Sequence, residues 1–205
     1  MFTIDSLVWM LLAVAIGFAA IQRAGDGEKQ IDEKTHRRLC LAALAVGVLV
    51  RLVKLTSLPA GISAEEALVG VQAKSLAQTG GFLFGQGLTT QLAQWEGETT
   101  GPLLAVLTAP FVGLFGMNKL TVRLPLALLS CLAMPAAYGL GEAVSGKRAA
   151  RWMLTIYAIC PIFVLEARLT CGSCAALYLL PIALCLMVRG ISRPAELYGG
   201  MAILA

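Results

Sequence analysis

The charged residues of this chain are confined to short stretches, and these stretches separate long runs that contain no charge. The uncharged runs are residues 7–21, 39–50, 99–118, 124–141, 152–165, 169–188 and a stretch that starts at 197. Only 14% of the residues are charged, whereas a soluble domain carries about a quarter. A membrane-spanning helix needs about 20 mostly apolar residues. The pattern therefore predicts an integral membrane protein with several helical spans.

The first run, residues 7–21, follows Asp5, and its basic flank comes after it. A cleavable secretory signal has the opposite order of charge. We therefore expect a retained first span with its N-terminus outside, followed by a basic cytoplasmic loop. Residues 1–38 would then form an extra segment ahead of a main helical module at 39–205.

The loops' basic residues set the orientation, because cytoplasmic loops carry an excess of Lys and Arg. If residues 99–118 cross the membrane, the loops that contain Lys147 and Arg189 fall outside. If this run instead lies along the outer surface or re-enters, ten basic residues fall on the cytoplasmic side and four outside the cell. This count leaves out Arg51 and Lys54, which end the second run. We therefore predict that it does not cross and that one long outer loop runs from about 56 to 123.

Polar residues flank the second run, and we expect them to face water. His36 precedes the run in the basic loop, and no functional role is predicted for it. Arg51 and Lys54 end the run. Their long side chains are expected to snorkel to the membrane interface.

Within the outer loop the sequence predicts a short amphipathic helix. Ser63 and Glu66 have the spacing of a capping box, in which the hydroxyl and the carboxylate each accept a backbone N–H. Apolar residues then recur on one face from Val69 to Leu76, and Gly80 ends the helix. A helix of this kind is expected to lie at the outer interface.

Several polar residues of this region admit both a structural and a functional interpretation. The helix dipole alone favours Glu65 in a first turn, and capping alone explains Glu66. Glu98 belongs to a polar stretch just before an apolar run that starts with a proline. Arg123 and Arg168 lie between apolar runs, as interfacial residues do.

Six cysteines lie mostly inside the apolar runs, where small packing residues are common. Cys171 and Cys174 form a CxxC at a loop edge, which could close a disulfide outside the cell. A metal site would need a second pair of ligands, and the sequence contains no such pair.

Several short segments follow one another in an order and at spacings that are characteristic together. They are Arg51 followed by residues 58–61, then 65–67, 101–104, 114–118, 122–125, and 158–161 leading to Arg168. Together they resemble the N-terminal part of GT-C membrane glycosyltransferases. The likeness is greatest to the branch of protein O-mannosyltransferases and aminoarabinose transferases, family 39. It covers nearly everything after Cys40.

The resemblance implies an all-α, polytopic transmembrane helix bundle whose long first extracytoplasmic loop carries interfacial helices. Members of the family move a sugar from a polyprenyl-phosphate carrier to an acceptor at the extracytoplasmic face. The resemblance therefore implies a multi-pass protein of a bacterial plasma membrane. Its partners would be the bilayer and a carrier-linked sugar, and not a nucleic acid.

Family members carry an Asp-Glu pair in the first outer loop, and its Asp is the proposed base for the acceptor hydroxyl. Glu65 and Glu66 match this pair. An arginine near the donor phosphate matches Arg123, and Arg168 and Lys74 are further candidates for phosphate binding. We expect the acidic pair and Arg123 to share one water-facing surface outside the cell.

A divalent metal is the one cofactor that the resemblance suggests. The family's acidic residue ahead of a proline-containing apolar run, a metal ligand in some members, matches Glu98. Two departures concern the site: Glu65 stands where relatives have Asp, and Gly172 and Ser173 stand where an acidic residue usually follows Arg168.

Two other interpretations stay open, and the length of the chain bears on one of them. The last apolar run is too short to span, which predicts a truncated form that lacks the family's later helices and C-terminal domain. The chain would then be an incomplete transferase, or a non-catalytic scaffold or degenerate relative. A small transporter is disfavoured, because intramembrane charges would mark a substrate path and the interiors of the runs contain none.

Overall fold

The computed structural model describes residues 32–81, 93–95, 98–100, 102–190 and 194–204. Its elements are α1 (Glu33–Leu52), α2 (Ala64–Thr79), β1 (Ala93–Trp95), β2 (Glu98–Thr100), α3 (Pro102–Phe115), α4 (Lys119–Ile159), α5 (Pro161–Glu166), α6 (Gly172–Gly190) and α7 (Pro194–Leu204). The fold is mainly helical, as predicted. The predicted first span and most of its basic loop lie outside the described residues.

Helix α4 is interrupted at Ser145 and Gly146, whose backbone angles are not helical. Gly146 has φ 79°, a left-handed value that glycine adopts without strain. A Cβ added to Gly141 would lie 2.8 Å from the Cα of Ala150, although residues so separated in a straight helix would be about 13 Å apart. The interruption is therefore a tight turn, and the two halves of α4 fold back on each other.

Contacts at the helix ends define how the bundle runs. At one end, Lys147 in the turn of α4 binds Glu33 at the start of α1 at 2.9 Å, and Arg189 in the last turn of α6 reaches the first half of α4. At the opposite end, Arg123 in α4 and Arg168 after α5 bind carbonyl groups at and just after the end of α1. We call this the arginine end. The first half of α4 therefore runs away from it, the second half with α5 returns, and α6 runs away again.

A proline separates α4 from α5, and Arg51 fills the gap that it leaves. Pro161 has no backbone N–H, so the carbonyl of Tyr157, four residues earlier, has no helical partner. Arg51 donates from Nη2 to this carbonyl at 2.7 Å, and from Nη1 to those of Ala158 at 3.0 Å and Gly47 at 3.1 Å. The side chain is 0% exposed. The predicted snorkelling of Arg51 is therefore wrong, because the broken helix offers its guanidinium buried acceptors.

The core lies where α1, α4 and α6 meet. Helix α1 packs closely on α4 at Gly47, where an added Cβ would lie 2.6 Å from Sδ of Met134 and 3.0 Å from Cβ of Ala158. Tyr157 stacks on Phe163 with ring centroids 4.0 Å apart. A larger residue at Gly47 would force these neighbours to shift, because protein interiors are closely packed.

Much of the outer surface is apolar. Large hydrophobic side chains are exposed along α1, α4 and α6, among them Leu49, Leu132 and Leu180. A large contiguous apolar surface is unusual for a soluble monomer. Among the described residues, α4 and α6 are long and apolar enough to cross a membrane. Helix α3 has 14 residues, about 21 Å, whereas the hydrocarbon core is about 30 Å thick.

Two predictions about the N-terminal part of the module are wrong. Residues 33–38 belong to α1 and not to a loop, because this end of the helix packs against α4. His36 is buried, and its Nε2 lies 3.2 Å from the hydroxyl of Tyr138. In addition, β1 and β2 form a short antiparallel hairpin between α2 and α3, which the all-α prediction did not include.

Candidate functional site

Helix α2 begins as its sequence predicts. The hydroxyl of Ser63 accepts the backbone N–H of Glu66, and the carboxylate of Glu66 accepts that of Ser63, each at 3.2 Å. Val69 and Ala73 are buried, whereas Lys74 is exposed. Gly80 ends the helix in a left-handed conformation, with φ 72°. The capping box therefore fixes the carboxylate of Glu66 at the N-terminus of α2.

Glu66 and Arg123 form a buried ion pair at the arginine end. Nε of Arg123 lies 2.9 Å from Oε1 of Glu66, and Nη2 lies 2.9 Å from Oε2. The two side chains are 1% and 2% exposed, Arg123 and Glu66 respectively. The sequence correctly predicted that the two would lie together, but they do not face water. A bidentate pair of this geometry is both strong and directional.

Arg123 also organises the segment that follows α1. Its Nη1 donates to the carbonyls of Leu55 at 3.1 Å and Pro59 at 3.0 Å, and its Nη2 donates to that of Gly61 at 2.6 Å. Together with the two bonds to Glu66, these use all five N–H groups that a guanidinium has. A phosphate could bind Arg123 only if one of these bonds opened. The phosphate-binding role of Arg123 stays a prediction.

Glu66 joins three parts of the chain at one point. Besides Arg123 and Ser63, its Oε1 accepts the backbone N–H of Thr170 at 3.2 Å. The hydroxyl of Thr170 donates to the carbonyl of Val122 at 3.2 Å. The loop before α6, the start of α2 and the start of α4 therefore meet at this carboxylate, which suits an anchoring role better than proton transfer.

Arg168 binds the end of α1. Its Nη2 donates to the carbonyls of Val50 and Val53, the latter at 2.7 Å, and its Nη1 lies 3.4 Å from the carbonyl of Leu58. The last carbonyls of a helix lack helical partners, and the helix dipole favours a cation there. Arg168 is 8% exposed. Its donor-phosphate role also stays a prediction.

An open cleft of about 190 Å³ lies beside the ion pair. It is lined by Ile62, Glu66, Ala67, Met117, Asn118, Lys119, Val122 and Arg123. Nζ of Lys119 donates to the carbonyl of Ala60 at 2.9 Å. An ammonium has three N–H groups, and within the described ranges this is the one hydrogen bond that Lys119 makes. The cleft therefore combines mostly apolar walls with a cation.

The other predicted site residues do not line this cleft. Glu65 is half-buried in the first turn of α2, next to Glu66 in sequence. Lys74 is exposed further along the same helix. Glu98 begins β2, and its side chain lies outside the described residues. The metal prediction for Glu98 is therefore untested.

The sequence did not indicate a role at this site for Lys119 or Thr170. It also did not indicate which carbonyl groups of residues 50–61 accept hydrogen bonds from the arginines. Lys119 gave one usable signal, because it directly follows Asn118, the N-cap residue of α4. The acceptors gave none, since a carbonyl group belongs to every residue and only the fold selects which ones an arginine meets.

No protein family model matches the chain, and no curated protein or solved structure is significantly similar to it.

Proposed function

We propose that this chain is a multi-pass membrane protein whose arginine end faces outward and binds a polyprenyl-phosphate-linked sugar in the cleft beside Lys119. It would act there as the donor-binding part of a GT-C-type glycosyltransferase. The observation that carries the proposal is the cleft itself. Its apolar walls suit a prenyl chain, and its one lysine suits a phosphate.

The orientation is supported by the distribution of charge. Lys147 and Arg189 lie at the end of the bundle opposite to Arg123, and residues 34–38 belong to the first turns of α1 at that same end. Basic residues concentrate on the cytoplasmic side of membrane proteins. The opposite end, with α2 and the cleft, would then face the outside.

Sugar transfer requires two kinds of group. A base takes the proton of the acceptor hydroxyl as its oxygen bonds to the sugar carbon, and a cation stabilises the phosphate as the bond from that carbon to the phosphate oxygen breaks. We assign the first role to Glu65 and the second to Lys119. Glu66, Arg123 and Arg168 are buried and bound to other segments of the chain, so they would hold those segments in place.

The cation's role predicts how lipid binding should change. Lys119→Gln should weaken binding of a long-chain polyprenyl phosphate by about 10-fold or more, since a hydrogen bond to a charged group contributes about 1.5–3 kcal/mol. Lys74→Gln is the matched control, because Lys74 is exposed on α2 and does not line the cleft. Native mass spectrometry of the purified chain in detergent would measure both. Equal losses for the two variants, or equal binding of the unphosphorylated polyprenol, would rule out this site.

The base's role predicts how turnover should change. Glu65→Gln should abolish release of polyprenyl phosphate from a carrier-linked sugar in membranes that contain the protein, and leave its abundance unchanged. The amide has the shape of the carboxylate but does not accept the proton. Glu66→Gln should instead lower the amount of folded protein. Normal turnover in the Glu65 variant would exclude it as the base.

A non-catalytic membrane scaffold is the second candidate, and one observation favours it. Arg123 donates every N–H of its guanidinium to groups of the chain itself. Although it matches the family's phosphate-binding arginine, it would then stabilise the fold and bind no phosphate. If the wild-type protein binds no polyprenyl phosphate in the experiment above, this interpretation replaces the first.

A further inference from the structure

The start of α6 carries a group of side chains that the proposed function does not use. Cys171 and Cys174 are joined in a disulfide, as their spacing allowed. Cys174 is 1% exposed, whereas Cys171 is half-buried and lies just before the first residue of α6. Sγ of Cys174 lies 2.9 Å from Oε2 of Glu166. One sulfur is therefore accessible, and the other is covered and in contact with a carboxyl group.

The contact between Cys174 and Glu166 links a proton to the redox state of the pair. At 2.9 Å the sulfur and the oxygen are close enough for a proton to pass between them when the disulfide opens. In a reduced pair, the thiol of Cys174 can donate to the carboxylate.

The position of Cys171 suits attack from outside. It lies at the N-terminus of a helix of 19 residues. The helix dipole there stabilises the thiolate that Cys171 forms when it leaves the mixed disulfide with the attacking molecule. When the accessible sulfur of Cys171 is attacked, the sulfur of Cys174 is the leaving group. A leaving thiolate is displaced more readily when it is stabilised, and the carboxyl group of Glu166 can stabilise Cys174 by passing it a proton. The pair thus has one sulfur to be attacked and one equipped to leave.

We propose that Cys171, Cys174 and Glu166 form a thiol–disulfide exchange site that oxidises a dithiol on another molecule. A thiolate of the partner attacks Sγ of Cys171, the bond between the two cysteines breaks, and its electron pair goes to Cys174, which takes a proton through the carboxyl group of Glu166. The second thiolate of the partner then attacks the partner's own sulfur in the mixed disulfide, and Cys171 leaves.

The exchange balances in atoms and electrons. The partner loses two electrons and two protons and gains a disulfide, while the cysteine pair gains two electrons and becomes two thiols. The partner's two protons end on the cysteines, one on Cys171 and one, passed through Glu166, on Cys174, and Glu166 returns to its starting state. The site shares no residue with the cleft that contains Lys119, so each proposal is tested without the other.

The test uses the full chain with the four remaining cysteines replaced by alanine: Cys40, Cys131, Cys160 and Cys185. Dithiothreitol is the dithiol probe, and maleimide alkylation followed by mass spectrometry counts the thiols with time. Glu166→Gln should slow reduction about 10-fold or more, as loss of a general acid does. Its amide N–H still donates to the sulfur, so a structural contact is kept and only proton transfer is lost. The matched control is Glu142→Gln, an exposed carboxylate on α4.

A second measurement identifies the attacked sulfur. With glutathione disulfide as the probe, Cys174→Ser should accumulate a mixed disulfide at Cys171, and Cys171→Ser should form at least about 10-fold less, because Cys174 is covered. Equal rates for Glu166→Gln and Glu142→Gln, equal trapping at the two cysteines, or a pair that millimolar dithiothreitol does not reduce would each overturn the proposal.

Discussion

The guanidinium groups of Arg51, Arg123 and Arg168 are buried, and each binds main-chain carbonyl groups near the end of α1. One of them, Arg123, also has a carboxylate partner in Glu66. An arginine can be buried this way because carbonyl dipoles replace much of its hydration, and because its five donors reach several acceptors at once. Lysine, a single point charge, could not bridge as many.

The buried ion pair predicts a large loss of stability when one partner is removed. Arg123→Met should lower the free energy of unfolding by about 3–5 kcal/mol, because it leaves the charge of Glu66 buried without its cation. The double variant Glu66→Gln with Arg123→Met should lose less than the sum of the two single changes. Denaturation in mixed detergent micelles, followed by circular dichroism, would measure each.

The matched control for this pair is Lys147→Met, which breaks the exposed pair with Glu33. Exposed pairs contribute little because solvent screens them, so its unfolding curve should overlay that of the wild type. A loss as large as that of Arg123→Met would show that burial is not what gives the inner pair its strength.

At the scale of elements, the helix break at Pro161 and the burial of Arg51 depend on each other, because Arg51 binds the carbonyl that the break leaves without a donor. Arg51→Met should destabilise the protein by about 1–3 kcal/mol for each buried carbonyl that loses its partner. Pro161→Ala restores an N–H for the carbonyl of Tyr157, so it should recover part of this loss in the Arg51→Met background. In the wild-type background the same change should bring no such gain. Equal effects of Pro161→Ala in both backgrounds would show that the two features are independent.

The sequence predicted elements well where one local signal was enough. The start of α2 follows from the spacing of Ser63 and Glu66, and its end follows from Gly80. The turn inside α4 was located only roughly, although uncharged runs end and begin around it. The start of α1 was misplaced, because its first residues are charged and are held in place by Lys147 and Tyr138, which are distant in sequence.

The candidate site was predictable in part, for the same reason. The residues 66 and 123 were singled out, and they do meet. Their arrangement was not predictable, because whether an arginine faces water or a carbonyl depends on where residues 55, 59 and 61 lie in space. Arg51 was misjudged in the same way: its position at a helix end favours snorkelling, and the broken helix nearby overrides that preference.

At the scale of the whole molecule, the proposed orientation has a direct test. In a cysteine-free background, a cysteine at position 119 should react with an impermeant maleimide added to intact cells, because Lys119 lies at the arginine end. A cysteine at position 147 should react only after permeabilisation, because Lys147 lies at the opposite end. Labelling at 147 and not at 119 would reverse the orientation.

The links made by Arg168 and Thr170 also set an order for biosynthesis. Val50, Val53 and Glu66 receive hydrogen bonds from residues more than a hundred positions later in the chain. A ribosome must therefore translate well past residue 170 before the segment after α1 acquires its last contacts. Until then, newly made molecules carry an unfinished segment after α1, which makes them candidates for recognition by chaperones and proteases.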